Sequence, residues 1–316
     1  MPGRIALLGE HCDWAGGSSL VAPLPGLHID ARFTPDGSDV LQVESFGVLP
    51  ARAEFPVAPV ALGAGPLRFV EAVLAELSAR GMAVSGGALS LESSLPAGRG
   101  FSSSAAVCVA CARALVPSLD PSEAADVAYR AERHRVGVPC GLLDQLAVAW
   151  GKPLLVHWHD RPDVTVLEVP LPPLVAGVFP RPRDTAGILG ALAAHHAGRG
   201  ERAAVDTVRG AIAAWGDAAP RGAHALRGGD RVALGRLMDE AQAHYERAAA
   251  RVEALAAPGL VAVCAALRAA GALGAKFSGA GGDGSVLGLA EDPSHAEQLA
   301  ALLGGFGLQV WVLAPR

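Results

Sequence analysis

Aromatic residues are scarce in this sequence, at 5% of 316 residues against an apolar fraction of 51%. With alanine as the main apolar residue, this shortage excludes a core of large rings and predicts helices packed closely through small side chains. Long apolar runs are missing too. The opening "MPGRIALLGEH" meets charged residues after a short stretch and has the pattern of neither a signal peptide nor a membrane span, so no membrane partner and a cytoplasmic location are expected. Lysine and arginine (26) number fewer than aspartate and glutamate (31), giving a net charge of −5, and the basic residues are scattered. That distribution excludes a nucleic-acid footprint. The five cysteines are odd in number and lack paired metal spacing, so reduced thiols are expected. The "VCVAC" pair, Cys108 and Cys111, falls in an alanine-rich helical stretch without the second pair a zinc site needs.

The first third alternates strand-like runs ("RIALLG", "SLVAPL", "LHIDARF", "DVLQVESF") with Gly, Pro, Asp and Ser turns. "PLRFVEAVLAELSARG" has helical period with Gly81 as its stop, and "GGALSLESSLP" returns to strand. "GRGFSSSAAVCVACARALVP" passes from a glycine and serine loop into a helix. In "DPSEAADVAYRAERHR" a helix starts cleanly: Asp120 can cap, Pro121 suits the first turn and Glu123 completes a capping-box spacing. "GVPCGLLDQLAVAWGKPLLVHWH" then predicts a loop, a short helix carrying Asp144, and a strand. Past about residue 165 the register changes to long alanine-rich helices, so two domains are expected, residues 1–165 and 166–316.

Three short stretches carry chemistry. "GEHCDWAGG" sets Glu10, His11 and Asp13 within four positions just past a strand, where a metal, a proton transfer or a substrate are all open readings. "PAGRGFSSSAA" leads a flexible loop into a helix N-terminus, where N–H groups and the dipole favour phosphate. An ordinary serine N-cap would account for one serine but not three. "GAGGDG" satisfies GxGxxG, yet a strand-like run follows it where a dinucleotide fold requires a helix. No GxxxxGK[ST] run exists, which excludes a Walker-type NTPase. His157 and His159 alternate on a strand, an incomplete metal set, and the adjacent His195 and His196 read as exposed helix residues.

Together, "PGRIALLGEHCDWAGG", "LPAGRGFSSSAA" and "GAKFSGAGGDGSVLGL" resemble, in order and separation, the three motifs of the GHMP kinases, and the resemblance spans nearly the whole chain. The galactokinase-like branch fits best: Arg4 precedes Glu10, His11 and Asp13 by the branch's spacing, and Glu132 stands twelve residues before Asp144 in "AERHRVGVPCGLLDQ". The resemblance implies an α+β fold of two domains: an N-terminal ribosomal-protein-S5-domain-2-like α/β domain that binds ATP and a C-terminal ferredoxin-like α+β domain, with the active site in the cleft between them. It implies transfer of the γ-phosphoryl of ATP to a sugar hydroxyl, with the anomeric hydroxyl of galactose or a related aldose as the expected acceptor. Mevalonate or phosphomevalonate kinase, and a catalytically silent sugar and ATP sensor, are the alternatives.

By the same resemblance, Asp144 accepts the hydroxyl proton and Arg4 stabilises the ionised aspartate. The triphosphate lies against Gly98, Arg99, Gly100, Ser102, Ser103 and Ser104, with Gly279 and Gly281 passing close by. Ser104 and Glu132 hold Mg²⁺, as hard oxygen ligands suit. Glu10, His11, Asp13 and Gly141 contact the sugar. Asp283, standing where galactokinases have a small residue, is expected to read a substrate hydroxyl. The implied partners are a small-molecule sugar, ATP and Mg²⁺, acting on a monomer or homodimer.

Overall fold

A computed structural model describes residues 1–47, 50–58, 62–181 and 183–313. The chain divides into two units, Met1–Arg4 with Pro23–Gly151, and Ile5–Ala22 with the chain from Lys152 onward. Two strands run through both: β1 (Pro2–Leu8) and β2 (Gly17–Pro35), joined across the short helix α1 (Cys12–Ala15). The sequence reads "SLVAPL" and "LHIDARF" as separate strands, whereas β2 is one strand of 19 residues. It pairs with β6 over Gly17–Val21 and with β5 over Ile29–Pro35, so Pro23 and Pro25 fall between these two registers and remove no donor from either ladder.

In the first unit, β3 (Val40–Gly47) pairs antiparallel with β4 (Ala51–Pro56) and parallel with β5 (Gly87–Ser93). Parallel neighbours need a long crossover, and α2 (Arg68–Ala79) supplies it. The centre of the unit's helical layer is α3 (Ser103–Leu115), against which α2, α4 (Pro121–Arg130) and α5 (Leu143–Trp150) all pack. The helix buries Ala105, Ala106, Cys108, Ala110, Cys111 and Ala112, the small side chains that let three helices approach it. Burial raises the thiol pKa values of Cys108 and Cys111, so this C-x-x-C pair is packing. Helix α4 starts with the expected capping box, Asp120 accepting from the Glu123 N–H and Glu123 reaching back to the Asp120 N–H. At its far end it widens into a π-helical turn, Ala131–Val136, which the sequence period does not announce.

In the second unit, β6 (Leu154–Trp158) pairs with β7 (Asp163–Val166). A separate antiparallel sheet has the order β11-β8-β10-β9. Its strands are β8 (Leu174–Val178), β9 (Gly274–Phe277), β10 (Ser285–Leu289) and β11 (Gln309–Leu313). The first three are buried along their whole length, β8 as a continuous apolar run and β9 with Lys276 inside it. Helices α6 (Thr185–His196), α7 (Arg202–Arg227), α8 (Arg231–Ala249), α9 (Pro258–Ala269) and α10 (Pro293–Gly305) complete it. Among the described residues no helix is long and apolar enough to cross a membrane.

Candidate active site

The serine loop and Asp144 come together inside the first unit. Arg4, from β1, donates Nε to Asp144 Oδ1 at 2.7 Å, and its Nη2 lies 2.7 Å from the same oxygen. Its Nη1 donates to the Gly100 carbonyl at 2.8 Å, so one guanidinium ties the loop to the acid. Asp144 stands in the first turn of α5, as expected, with its side chain 30% exposed. Gly141 lies in the turn leading into that helix.

Each of the three serines has a different task. Ser102 holds the N-cap position of α3 but makes no capping bond; its hydroxyl donates to Asp144 Oδ2 at 2.6 Å. The Ser103 hydroxyl accepts from the Gly98 N–H at 3.3 Å, closing the loop across Arg99 and Gly100. Ser104 donates to Glu132 Oε1 at 2.6 Å. Ser102 pays for its place with a left-handed backbone, φ 60°, a conformation that costs a non-glycine residue of order 1 kcal/mol or more and clusters at functional sites.

Glu132 sits in the π-helical turn, buried, and accepts from Ser104 on one oxygen and from Gln145 Nε2 at 2.8 Å on the other. Burial raises its pKa, with the nearby Asp144 charge adding to the rise and the two hydrogen bonds opposing it. A buried carboxylate beside a serine hydroxyl is a hard-oxygen pair short of positive charge, and it fits Mg²⁺, which commonly takes one or two protein ligands with phosphates and waters. Among the described residues no cluster of three His, Cys, Asp or Glu could hold a metal, so a divalent ion would depend on such shared ligands.

The remaining candidates lie in the second unit. Glu10 pairs with Lys276, one of only two lysines in the sequence, and both side chains are sealed from solvent. Lys276 also lies over the Phe277 ring, 4.4 Å from its centroid. His11 has φ 68°, the second left-handed non-glycine residue among those described. It is buried against Trp215, and its Nε2 has no hydrogen-bond partner among the described residues. Burial lowers its pKa to about 3, aided by Arg183 and Lys276 and opposed by a hydrogen bond with the Ala280 backbone. The imidazole is therefore neutral at ordinary pH. Asp13, in the first turn of α1, is half-buried. His196, expected to be exposed, instead packs its ring edge-on to Trp14 at 5.7 Å.

The third motif forms the β9–β10 connection, and its glycines make room for protein. A Cβ on Gly284 would lie 1.7 Å from Arg183 Nη1, and one on Gly281 would lie 2.5 Å from the Tyr245 ring. Arg183 Nη1 donates to the Gly281 carbonyl at 2.6 Å, while Gly279 stays half-exposed. Asp283, expected to read a substrate hydroxyl, is engaged by the protein backbone. Helix α9 starts at Ala257–Pro258 without a capping side chain of its own, and the Asp283 carboxylate accepts from the N–H groups of Gly259 and Leu260 at 3.3 and 2.8 Å. Sequence reading also missed Gln145, Lys276 and Arg183. The rarity of lysine, two residues in the sequence, was the available signal for Lys276.

Two family models match the chain, the N-terminal domain of GHMP kinases over residues 67–152 and their C-terminal domain over residues 223–304, together more than half of its length. The chain belongs to the GHMP kinase family. Among its relatives, the galactokinase of Mycobacterium tuberculosis strain H37Rv is 35% identical over 177 residues, 54% of this chain and 48% of that protein. The galactokinase of Pyrococcus furiosus is 31% identical over 175 residues, 54% of this chain and 49% of that protein. The chain thus spans about half the length of the curated relatives it matches. Lactococcus lactis galactokinase complexed with galactose superposes with a TM-score of 0.78 at 18% identity, covering 99% of this chain and 92% of that one. Mevalonate kinase of L. major in complex with R-mevalonate gives 0.75 at 20%, covering 99% and 94%. Both show the two-domain GHMP kinase fold.

Proposed function

We propose that this GHMP kinase transfers the γ-phosphoryl of ATP, with Mg²⁺, to a sugar hydroxyl, and that the acceptor is the anomeric hydroxyl of galactose or a related aldose. The observation that carries the reading is Asp144, pinned by Arg4 through one oxygen and offered by Ser102 through the other, in the unit that also holds the Ser104–Glu132 pair. The partially exposed carboxylate exchanges its Ser102 hydrogen bond for the acceptor hydroxyl and takes or orients that proton. Arg4 stays on Oδ1 and holds the loop from Gly98 to Ser104 in register with it. The loop's backbone N–H groups and serines face the phosphates at the start of α3. Ser104 and Glu132 are the protein ligands for Mg²⁺, which when bound offsets phosphate charge and favours the in-line geometry. In phosphoryl transfer such positioning and charge stabilisation supply most of the rate, and Arg4, Asp144, Ser104 and Glu132 are already held by hydrogen bonds.

The choice of galactose over mevalonate rests on the sequence relatives, since solved galactokinases and mevalonate kinases superpose about equally well. Retention of Arg4, Ser104, Glu132 and Asp144 supports a working kinase over a silent sensor. The test is ADP release with galactose, other aldoses, mevalonate and phosphomevalonate, with the product position read by phosphorus NMR. A sugar 1-phosphate is expected; turnover confined to mevalonate or phosphomevalonate would reject the sugar assignment.

A further inference from the structure

Gln145 follows Asp144 on α5 and is completely buried. Successive helical residues diverge by about 100°, so the helix that presents Asp144 turns Gln145 toward the π-helical turn. There Nε2 donates to Glu132 Oε2 at 2.8 Å and lies 3.7 Å from Cys140 Sγ. The reverse amide orientation would set an oxygen against the Glu132 carboxylate, so the hydrogen-bond network assigns the nitrogen to that side. The other end of the amide, Oε1, is then an acceptor, buried and without a hydrogen-bond partner among the described residues. A buried acceptor left unmatched is costly, and one next to a candidate cation ligand points to a donor that arrives with the cation.

We infer that Gln145 is a positioning residue for the divalent cation: Nε2 fixes the plane of the Glu132 carboxylate, and Oε1 accepts a hydrogen bond from a water in the cation's shell. The inference rests on reading Ser104 and Glu132 as the cation's ligands. Ser104 and Gln145 grip opposite oxygens of Glu132, at 2.6 and 2.8 Å, which leaves each oxygen a lone pair directed elsewhere and removes rotation of the carboxylate. Outer groups of this kind typically change metal affinity by about 10–100-fold when removed. Because Gln145 and Asp144 share one turn of α5, the same helix sets both the acid and the cation's carboxylate.

The experiment titrates Mg²⁺ against binding of the non-hydrolysable analogue AMP-PNP by calorimetry, with the metal-free affinity measured in EDTA. The parent should bind the analogue more tightly as Mg²⁺ rises. Gln145→Met, which keeps the side-chain length and removes both amide groups, should keep the metal-free affinity but need about tenfold more Mg²⁺ for half of the gain. An unchanged Mg²⁺ titration in Gln145→Met, with the parent responding, overturns the role of Gln145 and leaves the cation site standing. A parent that shows no Mg²⁺-dependent gain overturns the cation site, and the role of Gln145 with it. Should Gln145→Met not fold, Gln145→Glu decides: it sets a second carboxylate against Glu132, so Mn²⁺ should raise its Tm more than that of the parent. Equal Mn²⁺ response overturns the inference.

Discussion

Each unit holds an acid with a cation drawn from far along the chain, and the two pairs differ in access. In the first, Arg4 grips Asp144, whose side chain keeps 30% of its surface open. In the second, Lys276 grips Glu10, and the two side chains are 0% and 1% exposed. An acid that must trade partners with a substrate needs an open side, whereas a sealed ion pair stands against a large desolvation cost and loses heavily if either member goes. Each pair joins a carboxylate to a cationic side chain, Asp144 to Arg4 and Glu10 to Lys276; exposure is what separates them.

The largest test of that contrast is Asp144→Asn, which keeps the Arg4 geometry in outline and removes the proposed base: turnover should fall by about 10²–10⁴-fold while AMP-PNP binding and Tm persist. Lys276→Ala should do the reverse and act on the fold, leaving Glu10 buried without its counterion at a cost of about 3–5 kcal/mol, read by urea denaturation. A stable Lys276→Ala protein with altered sugar KM would erase the distinction. Glu132→Gln should abolish the Mg²⁺-dependent gain in nucleotide affinity. Burial raises the folded-state pKa of Glu132, so the stability it contributes at low pH is lost as pH rises through that value. The variant's Tm relative to the parent should therefore climb as pH rises from the ordinary carboxyl value of 4.5 and level off above the folded-state pKa.

His11 has the opposite sign. Its folded pKa of about 3 lies below the ordinary imidazole value of 6.5, so the stability it contributes is complete above 6.5 and is lost on acidification toward 3. His11→Asn removes the titration with a residue that tolerates the left-handed backbone. Through that window the parent should lose about 1 kcal/mol per pH unit more than the variant. Asp283→Ala should have the smallest effect, about 1 kcal/mol from the lost cap on α9, with sugar kinetics unchanged.

Local chemistry was legible in the sequence where the interacting groups are neighbours. Asp120, Pro121 and Glu123 announce the start of α4, and Asp144 falls in the first turn of α5, because capping depends on spacings of a few residues. The serine loop was legible as the lead into a helix N-terminus, but not which serine does what: Ser102 reaches an acid 42 residues away and Ser104 one 28 away. Lys276 meets Glu10 across 266 positions, a partnership no local period encodes. The grouping of residues 5–22 with the chain past Lys152 is likewise a matter of tertiary contacts, which a single cut along the chain does not capture. The cap that Asp283 supplies was equally illegible, because the helix it caps starts 25 residues earlier and carries no sign of lacking a cap beyond Ala257 itself.

The pairing of lysines in this chain has a practical side. Of its two side-chain amines, Lys152 is half-exposed and Lys276 has no accessible surface. An amine-selective reagent therefore meets one side chain in the native protein and two in the unfolded one. Mass-resolved labelling at Lys276 becomes an intrinsic clock for opening of the second unit, with no engineered probe needed.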